Sequence, residues 1–446
     1  MVACTKYGKF EGIKENQSIV FKGIPYAKAP VGELRWKAPQ EPECFEGIFK
    51  ADRFAPKSMQ KGPQMPPQDG IAGYDVEFYD DPAWDPGMSE DCLYLNIWVP
   101  EEGGENLPVA FWIHGGGFGG GYSSEKEFSG EAYNRKGVIM VTIEYRCGFF
   151  GFLAHPLLDA ENEKSISGNY GILDQIAALK WVYENIAAFG GDPNNITVHG
   201  QSAGCMSTQV LISSPLTEGM IAKAILQSGI EIGGGVLYTP TLQQEEEIGQ
   251  WFVDLTGCSS AEELRALPAE KILDYNMQIM LRCFREGLGL AIVPNVDGYV
   301  LPQSVVECFK NGQERAIPYM AGAVENDLAV TPEMLENGTP GPLYQANIDF
   351  CIETSKRSGH KNYCYYFTRH LPGDQWGAFH SAELWYMQGT LDRCWRPMTD
   401  ADHALSEKMV TYWTNFMKTG DPNGEDVPEW KPCTEADPQV VVLDVE

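Results

Sequence analysis

The stretch Phe189–Gly204, FGGDPNNITVHGQSAG, decides how the rest of the chain is read. Ile196–His199 is a short apolar, β-branched run of the kind that forms a buried strand. Gly200-Gln201-Ser202-Ala203-Gly204 follows at once, and a stretch of helical character comes next. A strand that turns into a helix through G-x-S-x-G holds its serine in a strained backbone conformation. The flanking glycines let neighbouring backbone pass close by. The turn lifts the hydroxyl out at the carboxyl end of a sheet, and the helix N-terminus beneath it favours developing negative charge. The five-residue pattern alone is a weak signal; the strand before it and the helix after it give it weight.

Reading outward from Ser202, strands and helices alternate. PVAFWIH (Pro108–His114), VIMVTIEY (Val138–Tyr145) and AKAILQS (Ala222–Ser228) are strand candidates, and Leu173–Ala188 repeats apolar residues at helical spacing. IPYMAGAV (Ile317–Val324) and YCYYFT (Tyr363–Thr368) are further strands, and VVVL (Val440–Leu443) fits an edge strand. Asp402–Thr419 reads as a helix stopped by Gly420-Asp421-Pro422. This βαβα order implies an α/β fold with a large, mostly parallel central sheet flanked by helices. No linker divides residues 1–446, so a single domain is expected, with a helical, cap-like region at about 237–310. Within that region Ser260 and Glu263 fit a capping box. Lys61–Asp85, rich in prolines and acids, reads as a long surface loop of the kind that serves as a lid.

Composition narrows the function classes. The formal net charge is −29, which repels phosphate backbones and anionic lipid, so nucleic acid and membrane surfaces are not expected partners. No window approaches the length of an apolar membrane helix, and the start MVACTKYGKF has no apolar signal core, so a cytoplasmic location is expected. Twelve cysteines lie scattered between Cys4 and Cys433 without C-x-x-C or zinc-ligand spacing, and they read as buried free thiols. No metal and no cofactor is expected.

His114-Gly115-Gly116-Gly117-Phe118 follows an apolar strand. Acyl transfer passes through a tetrahedral oxyanion, and consecutive glycines leave backbone N–H groups free to approach it. Gly116, Gly117 and Ala203 are the expected donors. A flexible glycine turn is the bland alternative, and Gly119-Gly120-Gly121 just downstream makes it a fair one. Chains built on this motif run serine, then acid, then histidine. Of the seven histidines, His380 and His403 are the candidates for the base. Glu325 and Asp327, just after the Ile317–Val324 strand, are candidates for the acid, although either could be a solvated loop carboxylate.

Further segments carry a resemblance. FKGIPYAKAPVGELRW (Phe21–Trp36), SEDCLYLNIWVP (Ser89–Pro100), EYRCGFFGFL (Glu144–Leu153), GNYGILDQ (Gly168–Gln175), ILQSG (Ile225–Gly229), GAFHSAELWY (Gly377–Tyr386) and YWTNFMKTGDPN (Tyr412–Asn423) follow one another in a family's order. With the glycine loop and the Ser202 motif, the chain resembles the type-B carboxylesterases over its whole length. These are α/β-hydrolases that include cholinesterases and bacterial para-nitrobenzyl esterases. The resemblance implies a serine esterase that cleaves carboxylic esters through an acyl-enzyme, with Ser202 as nucleophile and His380 as base. The family's acid is usually a Glu in a G-x-x-x-D-E-G stretch; Asp327 stands in its place here, and Glu325 is the alternative. The resemblance also implies a role for Ser228 beside the acid, and ion pairs Arg35–Glu90 and Arg146–Asp174.

The departures from the family matter too. Ser58 stands where the family often has a cysteine bridged to Cys92, so that bridge is not expected. Gln201 precedes the nucleophile where cholinesterases have Glu. Trp84 falls near the family's choline-stacking tryptophan in a shorter loop, and cation recognition is not expected. Trp84, Phe118, Phe149, Gln201, Trp376 and Trp385 are the expected pocket residues, suited to small aryl or alkyl esters; a hydroxycinnamate (feruloyl) ester is one such substrate. The expected partner is a small-molecule ester, and the expected state a monomer or weak homo-oligomer. The rival from another class is a non-catalytic binding module on the same fold, against which an intact Ser202, His380 and glycine loop argue. An amidase or lactonase would share the triad and differ in its pocket.

Overall fold

Short apolar runs become strands at both ends of the chain and through its middle. The computed structural model describes residues 1–61, 67–68, 70–231, 238–290 and 292–446. The N-terminal strands are β1 (Val2–Cys4), β2 (Lys9–Glu15), β3 (Ser18–Pro25) and β4 (Ile48–Ala51). A two-residue pair, β5 (Lys57–Ser58) and β6 (Met88–Ser89), stands apart from the main sheet. β7 (Tyr94–Pro100), β8 (Leu107–Ile113), β9 (Ile139–Ile143), β10 (Gly191–Gln201) and β11 (Lys223–Gln227) follow. β12 (Tyr319–Val324), β13 (Tyr363–Phe367) and β14 (Val441–Leu443) complete the set.

Among the described residues the main sheet runs β1-β2-β3-β7-β9-β8-β10-β11-β12-β13-β14, with β4 beside β2. From β9 to β14 every neighbouring pair is parallel, and β1-β2-β3-β7-β9 is antiparallel. The expected α/β-hydrolase architecture is therefore present.

Side-chain alternation explains why the central strands are apolar throughout. On β8, Val109, Phe111 and Ile113 enter one core with Ile172, Leu179 and Val182 of the Tyr170–Asn185 helix. Ala110 and Trp112 enter the other core with Tyr412, Trp413 and Phe416 of the Asp400–Thr419 helix. Burial on both faces is the normal condition of a parallel strand between helix layers. Thr399 and Asp402 close a capping box at the start of the Asp400–Thr419 helix, and Gly420 (φ 79°) ends it in the left-handed region.

Two expectations are corrected. At Ser260 the hydroxyl accepts the Glu263 N–H at 3.2 Å, but the Glu263 carboxylate turns to Ser259 N–H (2.6 Å) and Oγ (2.9 Å). The box is closed on one side only, because Ser259 offers the carboxylate two donors at once. Lys61–Asp85 is not a surface loop throughout. Residues 62–66 and 69 lie outside the described residues, while Glu77 and Phe78 are buried. Glu77 accepts from Arg396 Nε (2.9 Å), Trp385 Nε1 (2.7 Å) and Trp395 Nε1 (2.9 Å), all far away in sequence. Both Glu77 carboxyl oxygens therefore accept hydrogen bonds, which satisfies the buried group.

The expected cap-like region contains the helices Leu242–Thr256, Ala261–Arg265, Ala269–Glu286 and Val305–Lys310; its residues 237 and 291 lie outside the described residues. Its first helix sits hard against the body of the protein, since a Cβ on Gly249 would lie 1.8 Å from the Ala154 carbonyl oxygen. Among the described residues no helix is long and apolar enough to cross a membrane. All twelve cysteines are free thiols, and only Cys4 and Cys44 are exposed.

Candidate active site

Strand order reverses at β8, which has β9 on one side and β10 on the other. In an open α/β sheet this switch point opens a crevice at the carboxyl ends of the strands. The glycine loop leaves β8, Ser202 leaves β10, Asp327 follows β12 and His380 follows β13. The bridge between Asn326 and Phe379 ties the last two loops together, with Asn326 N–H donating to Ala378 O at 2.9 Å.

Ser202 has φ 56° and ψ −124°, a conformation that L-residues avoid unless the surroundings impose it. Those surroundings are tight. A Cβ on Gly204 would lie 2.0 Å from Ile113 O, and one on Gly200 would lie 2.5 Å from Gly204 backbone. Ser202 N–H donates to Gln227 O at 2.9 Å, which fixes the turn to β11. Ala203 opens the Ala203–Ser213 helix, so its N–H has no intrahelical acceptor.

The glycine loop is held just as firmly. Gly116 (φ 102°) and Gly117 (φ 59°) lie outside the common backbone regions, and a Cβ on Gly116 would meet Gly120 O at 2.2 Å. The Gly116 carbonyl accepts from Gly119 and Gly120 N–H, both at 3.1 Å. The Gln60 amide clamps Gly121 at both ends, donating to its carbonyl and accepting from its N–H, each at 2.8 Å. His114 stacks on Tyr145 with ring centroids 4.3 Å apart, and burial lowers its pKa to about 4, so it is neutral. Gly116 and Gly117 N–H donate to no protein acceptor among the described residues.

Of the two candidate acids, Asp327 meets His380. The ring Nδ1–H donates to Asp327 Oδ1 at 2.6 Å. Asp327 also accepts from Val324 N–H (3.0 Å) and Leu328 N–H (2.8 Å), so the short side chain is anchored where it leaves β12. Glu325 pairs with His370 in a more exposed position. His403 is exposed on the Asp400–Thr419 helix, with Asp392 as its neighbour at 3.8 Å. Tyr74 Oη–H, from the region expected to be a lid, donates to the His380 carbonyl at 2.6 Å. With Nδ1 protonated, His380 Nε2 carries the lone pair, and it faces the Gln201 side-chain amide nitrogen at 3.2 Å. Among the described residues no hydrogen bond yet joins the Ser202 hydroxyl to the ring.

The expected pocket residues separate. Gln201 touches His380, and Trp376 stacks on Phe379 at 3.9 Å in the His380 loop. Phe118 packs on Phe152, and Phe149 on Phe252, both buried. Trp385 is a core residue that stacks on Phe78 and donates to Glu77. Trp84 lies 5.0 Å under the Arg393 guanidinium. A small apolar cavity beside Gly117 and Gly119 is walled instead by Met280, Phe284, Leu290 and Ile292. The ion pairs implied by the resemblance are formed, Arg35 Nε to Glu90 at 2.6 Å and Arg146 Nε to Asp174 at 2.7 Å. Ser228 (φ 52°) is buried with its hydroxyl unpartnered, and its N–H donates to Gly322 O at 2.9 Å. Sequence reading missed Gln60 and Tyr74, for which no signal was available.

The carboxylesterase family profile matches residues 1–343 and 342–446. A para-nitrobenzyl esterase of Bacillus subtilis (strain 168) is 34% identical, with 100% of this chain aligned to 95% of the relative. A fumonisin B1 esterase of Sphingopyxis macrogoltabida is 40% identical over 72% of this chain and 55% of its own length. The solved structure of a thermophilic PNB esterase superposes with a TM-score of 0.84 at 31% identity, covering 100% of this chain and 96% of that one.

Proposed function

The chain belongs to the carboxylesterase family and is a serine carboxylesterase hydrolysing carboxylic esters; from that premise we propose that acyl transfer runs through Ser202, His380 and Asp327. The observation that carries the assignment is the 2.6 Å contact of His380 Nδ1 with Asp327, at the same end of the sheet as the strained Ser202 turn. Ser202 Oγ attacks the ester carbonyl while His380 Nε2 takes its proton. Asp327 holds the ring in the Nδ1–H tautomer and stabilises the imidazolium. The free N–H groups of Gly116, Gly117 and Ala203 receive the oxyanion. His380 then protonates the leaving alcohol, and water repeats the sequence on the acyl-enzyme. The Gln201 amide must give up Nε2 as the hydroxyl engages it, a small rearrangement of the kind that accompanies substrate entry.

Small alkyl or aryl esters are the proposed substrates, from the aromatic side chains near the site, Trp376 in the His380 loop among them. One relative's name, para-nitrobenzyl esterase, supports an ester of this kind. We read residues 1–446 as one domain capped by the helices of the 237–310 region, a reading supported by the close approach of Gly249 to the Ala154 carbonyl. A cytoplasmic location is supported by the twelve free thiols, and a monomer or weak homo-oligomer by the net charge of −29.

Hydrolysis of para-nitrophenyl esters from acetate to octanoate, with methyl ferulate alongside, tests the reading. Wild type should be active with an optimum at short chains, and Ser202→Ala should fall by at least ~10³-fold in kcat. Undiminished turnover in Ser202→Ala would overturn the assignment of the nucleophile.

A further inference from the structure

His380 sits in a tight turn whose geometry its own residues do not favour. Ala382 N–H donates to Phe379 O at 2.8 Å, so residues 379–382 form a hydrogen-bonded β-turn with His380 and Ser381 at its centre. Ser381 has φ 82°, while His380 is not among the residues at positive φ. A positive φ at the second central position alone marks a type II turn, which calls for glycine or asparagine there. Serine carries a Cβ that disfavours this region. Rotating the central peptide, between His380 and Ser381, converts type II into type I, a turn that serine enters without strain. The peptide therefore needs a hold from outside the turn.

Tyr74 supplies that hold. Its Oη–H donates at 2.6 Å to the His380 carbonyl, the oxygen of the central peptide. Were the peptide to turn over, that oxygen would point away and the phenol would lose its acceptor. The ring is wedged in place, edge-on to Trp376 at 5.1 Å and stacked with Phe78 at 5.6 Å. The backbone on either side of Tyr74 is tied to the His380 loop as well. Gln375 N–H donates to Gly70 O at 2.8 Å, and Ala72 N–H donates to Asp374 at 3.0 Å. Buried Arg396 joins the two segments, meeting Glu77 at 2.9 Å with Nε and Asp374 at 2.8 Å with Nη1. Residues 70–78 and 371–379 are thus held to each other, and the Tyr74 hydroxyl is placed against the turn.

We propose that Tyr74 is a positioning residue for the base: its hydroxyl latches the His380–Ser381 peptide in the type II turn and so fixes the backbone from which the imidazole projects. The inference rests on the Ser202–His380–Asp327 assignment made above. Type I and type II turns differ by about 150° in ψ of the first central residue, here His380. Side-chain rotamer preferences follow the backbone angles, so a turned peptide re-aims the ring. The 2.6 Å contact of Nδ1 with Asp327 and the direction of Nε2 both depend on that aim. A misplacement of about 1 Å costs roughly a hundredfold in rate, while the ester still binds.

The test is a double-variant cycle on Tyr74→Phe and Ser381→Gly, read as kcat and KM for para-nitrophenyl butyrate. Tyr74→Phe keeps the ring and its packing and deletes the latch; kcat should fall roughly tenfold, with KM within about twofold. Glycine takes positive φ without strain, so Ser381→Gly makes the turn independent of the hydroxyl. In that background Tyr74→Phe should change kcat by no more than about twofold. An undiminished kcat in Tyr74→Phe overturns the proposal. An equal loss in both backgrounds overturns it too, because a packing defect is not rescued at Ser381. If Tyr74→Phe alone does not fold, the double variant decides. It should fold and match Ser381→Gly within about twofold; a double variant that does not fold, or that loses roughly tenfold, overturns the proposal. His380→Ala is measured alongside, and turnover surviving in it would fault the assignment of the base, a result distinct from any of these.

Discussion

At the scale of single residues, the site assigns different work to two acids that look interchangeable in sequence. Asp327 is anchored by two backbone N–H groups and meets His380, the proposed base, while Glu325 leans outward to His370. Asp327→Asn should therefore lower kcat by about 10⁴-fold, since an amide favours the wrong tautomer of the base, and Glu325→Gln should leave it within about twofold, as an exposed change away from the ring. Steady-state kinetics on one para-nitrophenyl ester separates the two, and comparable losses in both variants would contradict the assignment. Gln201 offers a second test. Its neutral amide faces Nε2, whereas a carboxylate there would attract the imidazolium and raise the pKa of the base. The base would then be lost at higher pH, so Gln201→Glu should move the acid limb of kcat/KM upward by about one pH unit. The Ser202 turn and the glycine loop stand out in the sequence by their spacing, whereas His380 is separated from His403 there only by the family resemblance. Gln60 and Tyr74 do not stand out, because what they do depends on partners, Gly121 and His380, that only the fold brings near.

At the scale of elements, the strands were legible wherever burial on both faces forced an unbroken apolar run, as in β8, β9 and β12. β10 was underestimated. It extends from Gly191, through Asp192-Pro193-Asn194-Asn195, residues that read as a loop because its outer half is partly exposed. Half of a capping box was misread at Ser260, and complete boxes at Thr241–Gln244 and Thr399–Asp402 were passed over. These are local contests between neighbouring hydroxyls that composition does not decide. The strand-turn-helix unit at Ser202 gives the sharpest prediction at this scale. Gly204 packs so closely on β8 that a methyl group would meet the Ile113 carbonyl at 2.0 Å, and backbone cannot move aside as a side chain can. Gly204→Ala should cost ~3 kcal/mol or more, seen as a lower thermal midpoint and lost activity. An active variant melting with wild type would show that the elbow tolerates a wider opening between β8 and the Ala203–Ser213 helix.

For the whole molecule, the dominant electrostatic fact is acid in excess, with a net charge of −29 and several carboxyls buried rather than solvated. Glu144 is the clearest case away from the proposed reaction. Its Oε1 accepts the Ser123 N–H at 2.6 Å, its Oε2 has no partner, and burial raises its pKa to about 8. Glu383 is raised to about 7, and Glu125, Glu127 and Glu245 are raised by burial as well. An acid whose folded pKa lies above its unfolded value contributes stability that is fully present below the unfolded pKa, here 4.5, and lost as pH rises through the folded one. Self-repulsion of the net charge adds to the loss on the same side. Asp402 works in the opposite sense. Arg369, Thr399 and Tyr386 hold it below its ordinary value despite burial, so its contribution is lost only on strong acidification. The two tendencies together place the stability maximum on the acid side of neutrality, and thermal midpoints should fall steadily between about pH 5.5 and 8.5. Glu144→Gln isolates one contribution. The amide oxygen keeps the Ser123 hydrogen bond, and no charge develops as pH rises. Its midpoint should lie near that of wild type at the acid end and about 2–4 °C above it at the alkaline end. A variant whose melting curve runs parallel to wild type across the range would mean that Glu144 stays protonated, or finds water, throughout, and that the alkaline loss belongs to net charge alone. Melting in high salt distinguishes that outcome, since screening relieves long-range repulsion but leaves a buried carboxyl nearly untouched.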